Sequence, residues 1–200
     1  MSHATCDVTV TSDVVLVCIA DDDLRRDVTA TLRSEWPVRT AYDESAARAS
    51  LDESVSVLLL DLADDTFDID QTLDRQDEDG IAFETAALVD RHARTDERLD
   101  GYVHKPVSTD ELRATVDRLH RRVQYDRLLG RYYSIATEYA ETASARQQDP
   151  PELTRLRERL FTLRTRLDDI ADGLDDADAF DAALGEYEDD DVGDFSLDDL

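Results

Sequence analysis

Runs and stripes of apolar residues divide the chain into an alternating half and a helical half. Val14-Val15-Leu16-Val17-Cys18-Ile19-Ala20 is continuously apolar and rich in β-formers, which predicts a strand covered on both faces of a parallel sheet. Leu24, Val28 and Leu32 recur every four residues and put one apolar stripe on a helix. Val38-Arg39-Thr40 predicts a short strand, and Ala46, Ala47, Ala49 and Leu51 a second helix. Val55-Ser56-Val57-Leu58-Leu59-Leu60 is another buried strand, ending at Asp61. From Ala63 to Gly80 the sequence is Asp-rich, with only Phe67, Ile69 and Leu73 to bury. Ile81 to Ala86 predicts the next strand, Ala87 to Leu99 a helix, and Gly101 to Val107 the last strand and its exit. Strands and helices alternating at this spacing specify a doubly wound, flavodoxin-like α/β fold over residues 13–122.

Ser108-Thr109-Asp110-Glu111 has the form of a capping box, and Leu112, Val116, Leu119 and Val123 continue the helix it opens. The period then changes. Tyr125, Leu128, Tyr132, Ile135 and Tyr139 form a new stripe, which Pro150-Pro151 is expected to stop. Leu153, Leu156, Leu160, Leu163, Leu167, Ile170 and Leu174 alternate spacings of three and four, the a and d seam of a coiled coil. Residues 123–187 are therefore expected to form a helical hairpin or coiled coil, with a homodimer covering the seam; the alternative is a hairpin folded onto the α/β domain of its own chain. Residues 1–12 read as a disordered leader, and residues 188–200 as a disordered acidic tail.

Charge narrows the setting. The chain of 200 residues has 49 acidic and 22 basic residues, a formal net charge of -27, and among the basic residues only Lys105 is a lysine. Such a surface suits molar salt, where a Debye length of about 3 Å suppresses self-repulsion, and it points to the cytoplasm of a halophile. No dense basic patch or helix-turn-helix pattern supports direct nucleic-acid binding, and no apolar stretch approaches a membrane span. Cys6 and Cys18 are too few for a disulfide framework. His3, His92, His104 and His120 lack the spacing of a metal or nucleophile site, and no catalytic constellation stands out, so no enzyme is expected.

Two resemblances attach chemistry to these elements. With Val57-Leu58-Leu59-Leu60-Asp61 and Gly101-Tyr102-Val103-His104-Lys105-Pro106, residues 14–122 resemble a response-regulator receiver domain. The resemblance implies that Asp61 is the phosphoacceptor, that Lys105 contacts the phosphoryl group, that Tyr102 is the switch aromatic, and that Thr85 is the hydroxyl following the phosphoryl group. It also implies an acid pair at the end of the first strand to hold Mg²⁺, a hard cation that requires oxygen ligands. Counted without gaps, those positions are Ile19 and Ala20. Asp21 and Asp22 would replace them only if the following loop were two residues shorter, so Mg²⁺ enters only if Asp21, Asp22 and Asp61 converge. The receiver looks degenerate.

Residues 123–187 resemble the HalX domain found behind receiver domains in haloarchaea, through Tyr125-Asp126-Arg127-Leu128-Leu129, Tyr132-Tyr133, the leucine heptads and Phe180-Asp181-Ala182-Ala183-Leu184. The expected function is a signal-transduction regulator working by partner binding or dimerisation without phosphorylation. The alternatives are a phosphoacceptor that takes its phosphoryl group on Asp61 from a histidine kinase, and a DNA-binding transcriptional regulator.

Overall fold

A computed structural model of the chain describes residues 13–62, 66–67, 82–90, 96, 98–144 and 150–174. Five strands form one parallel sheet: β1 (Val14–Cys18), β2 (Val38–Ala41), β3 (Val55–Asp61), β4 (Glu84–Asp90) and β5 (Gly101–Lys105), in the order β2-β1-β3-β4-β5. Four described helices accompany them: α1 (Asp22–Leu32), α2 (Glu44–Ser50), α3 (Thr109–Ser144) and α4 (Pro150–Ala171).

Alternation along the central strands makes two cores. Val15, Val17, Val57, Leu59, Ala86, Leu88 and Val103 pack on one face with Val28 and Leu32 of α1 and Leu112, Val116 and Leu119 of α3. On the other face Leu16, Cys18, Leu58 and Leu60 pack with Leu51, Phe67 and Phe83, flanked by Ala46 and Ala47 of α2. Every residue of β1 and β3 is buried, which is why both read as unbroken apolar runs.

The fourth strand lies three residues later than the sequence predicts. Ala87 to Asp90, expected in a helix, belongs to β4, while Phe83 precedes the strand and Ile81 lies outside the described residues. Alanine-rich sequence favours helix locally, yet sheet burial on both faces accepts Ala86 and Ala87, and packing overrides the preference. Glu84 at the start of the strand is buried beside Arg122 of α3, their nearest charged atoms 3.4 Å apart.

The chain divides into two units between Gln124 and Tyr125, although α3 continues through that point. In the second unit Ile135, Leu156 and Leu167 are buried. Leu153, Leu160, Leu163, Ile170 and Leu174 are half-buried, whereas most residues between them are exposed. Pro150 and Pro151 open α4 rather than closing α3, which ends at Ser144; proline fits a first helical turn because those N–H groups have no intrahelical acceptor. Ile69, Leu73 and the expected leader and tail at residues 1–12 and 188–200 lie outside the described residues.

Candidate functional site

The order β2-β1-β3 places the reversal of winding between β1 and β3, and open parallel sheets bind ligands at the carboxyl ends of such strands. Asp61 is the last residue of β3, with its side chain only 6 % exposed. Lys105 is the last residue of β5 and reaches past β4, so that its Nζ donates to Asp61 Oδ1 at 2.5 Å. At 20 % exposure the ammonium is also partly desolvated, which strengthens the ion pair relative to a surface one. Asp61 and Lys105, both singled out in the sequence, thus lie together at this edge.

Thr85 does not join them. It lies opposite Leu58, whereas Asp61 lies opposite Leu88, which separates Thr85 from the acceptor level by three residues, about 10 Å of strand. Its backbone N–H instead donates to Asp100 Oδ2 at 2.7 Å, near the start of β5. The residue ending β4 is Asp90, in register with Lys105. Ala86-Ala87-Leu88-Val89-Asp90 is, like the segment before Asp61, an apolar run ending in aspartate, but by its pattern alone it fits a helix as well as a strand. Thr85 therefore does not hold the strand-end position that the receiver resemblance implies, because β4 runs from Glu84 to Asp90 and not from Ile81 to Ala86.

Tyr102 points its hydroxyl into the preceding loop. The oxygen accepts from the Asp96 N–H at 2.6 Å and its hydrogen is donated to the Asp96 carbonyl. Burial pushes the phenol above its ordinary pKa. Asp96 is held in turn by Arg98, whose side-chain hydrogen bonding lowers the carboxyl to about 2.

At the exit of β1, Ile19 is buried in the core beneath α1. Asp21 caps α1, its Oδ1 accepting the Leu24 N–H at 2.7 Å. Asp22 lies in the first helical turn, 75 % exposed and paired with Arg25. The Arg25 Nη1 also donates to the carbonyls of Ile19 at 2.7 Å and Ala20 at 3.1 Å. The sequence carries no signal for this role, because nothing in a helical Arg one turn after a cap reveals that it folds back onto a strand end. Among the described residues no three His, Cys, Asp or Glu side chains gather to hold a metal ion. Asp21, Asp22 and Asp61 therefore do not form the convergent set that Mg²⁺ would require: Asp21 caps α1 and Asp22 pairs with Arg25.

The first unit thus has the receiver fold. It is similar to the signal receiver domain of a Vibrio parahaemolyticus protein provisionally described as a LuxO repressor, at 16 % identity over 58 % of this chain and 96 % of that one, with a TM-score of 0.52. It is also similar to NtrX from Brucella abortus, solved in complex with ADP, at 20 % identity and a TM-score of 0.51, covering 60 % of this chain and 28 % of that one. Residues 121–184 match the model of the HalX domain. The chain is a HalX-domain protein with a receiver-like domain ahead of it. A Haloferax volcanii protein, provisionally described as a transcriptional regulator, is 31 % identical over 158 residues, which is 76 % of this chain but 27 % of that protein. Among the described residues no helix is long and apolar enough to cross a membrane.

Proposed function

We propose that this protein is a response-regulator-type signalling module of a halophile cytoplasm, acting through protein partners or self-association without phosphorylation of Asp61. The observation that carries the reading is the exit of β1. Ile19 and Ala20, which directly follow β1, offer no carboxylates; Asp21 is engaged as a helix cap and Asp22 with Arg25. A transferring phosphoryl group develops negative charge on its oxygens, and without a metal or equivalent clamp that charge is poorly compensated. Asp61 and Lys105 then serve as a fixed ion pair at the sheet edge.

Acetyl phosphate with Mg²⁺ in molar KCl should leave the wild-type protein unlabelled, by intact mass and by phosphate-affinity electrophoresis. Stoichiometric labelling abolished in Asp61→Asn would reverse the reading and make Asp61 a working acceptor for a histidine kinase, since the Lys105 contact would serve that role equally well. The Haloferax relative gives a second reading, regulation of transcription. With a net charge of -27 and a single lysine, that role is better served by binding another regulator than by contacting phosphates directly.

A further inference from the structure

We infer that Arg25 is a resident cation of the carboxyl edge, occupying the exit of β1 that the receiver resemblance would give to a divalent metal, and excluding such a metal from it. Cys18 of β1 is in register with Leu60 of β3, so Ile19, just past the end of β1, follows at the level of Asp61, the last residue of β3. Around the exit of β1 one guanidinium engages the Ile19 and Ala20 carbonyls and the Asp22 carboxylate together. The Arg25 side chain is only 19 % exposed, so it lies against the edge instead of extending into solvent. Its planar fork suits several fixed oxygen acceptors at once, and it is weakly hydrated and always charged. Mg²⁺ needs near-octahedral oxygen ligation and dehydrates reluctantly, so it cannot share carbonyls already spanned by a cation. Lys105 on Asp61 adds a second positive charge to the same edge.

The inference shares with the proposed function the placing of this edge, but not the claim about phosphorylation. Labelling of Asp61 would overturn that claim and leave the present one to be decided by metal affinity. Ala20 is partly exposed whereas Ile19 is fully buried, so Ala20 is the position at which a carboxylate is introduced. Mn²⁺ binding, followed by electron paramagnetic resonance in molar KCl with Mg²⁺ as competitor, should be at least about tenfold tighter in Ala20→Asp/Arg25→Met than in Ala20→Asp. Ala20→Asp/Arg25→Lys, which keeps the charge, should bind as weakly as Ala20→Asp and supplies the comparison if the Met variant does not fold. Equal affinity in the Met and single variants, no binding in either, or tight binding in the Lys variant would each overturn the inference.

Discussion

At the scale of single residues, environment separates groups that the sequence presents alike. Asp61 and Asp90 both end apolar runs, yet Asp61 is buried against Lys105 and Asp90 is exposed. Cys18 is a free, buried thiol on β1 whose pKa burial pushes up to about 12. A raised folded-state pKa stabilises the fold fully below the ordinary thiol value near 9 and loses that contribution as pH rises through 12. Stability should therefore fall between pH 9 and 12, and Cys18→Ala should flatten the fall in urea unfolding. At pH 8 the Cys18 peptide should resist iodoacetamide in the native protein and react fully in denaturant, by mass spectrometry; rapid native modification would contradict its burial.

At the scale of elements, β5 depends on α3. A methyl group on Gly101 would meet Thr115 Cγ2 at 3.0 Å, Leu119 Cδ1 at 3.2 Å and Arg118 Nη2 at 3.3 Å. Arg118 is further constrained, since its Nη2 donates to the Asp100 carbonyl at 2.9 Å. Gly101→Ala should destabilise the protein by about 1–3 kcal/mol through overpacking. Gly130 lies inside the same helix with nothing within 4 Å of its added methyl, so Gly130→Ala should stabilise by about 0.5–1 kcal/mol. Chemical denaturation of the two variants tests the pair, and a like sign for both would refute it. The position of β4 belongs to this scale as well: Ala86-Ala87-Leu88-Val89 fits either a helix or a buried strand until its neighbours β3 and β5 are present.

At the scale of the whole molecule, charge and seam each make a claim on solution behaviour. With -27 charges to screen, thermal unfolding midpoints should rise steeply from dilute to molar KCl, and a flat profile would count against adaptation to salt. Under the proposed reading the α4 seam mediates a homodimer. Leu160→Asp/Leu167→Asp should then convert a dimer to a monomer in light scattering while the α/β unit keeps its unfolding transition. A wild-type protein already monomeric at high micromolar concentration in molar salt would exclude the dimer.

The sequence by itself determined the parallel α/β class, the strands β1, β3 and β5, the position of Asp61 and Lys105 at strand ends, and the stripe on α4. Each follows from a local period or an unbroken apolar run, and such patterns survive without knowledge of neighbours. Tertiary structure alone decided that β4 begins at Glu84, which removes Thr85 from the edge and puts Asp90 there. It alone turned Arg25 back onto the Ile19 and Ala20 carbonyls. Strand register and the destination of a long side chain depend on partners distant in sequence, and no period along the chain encodes them.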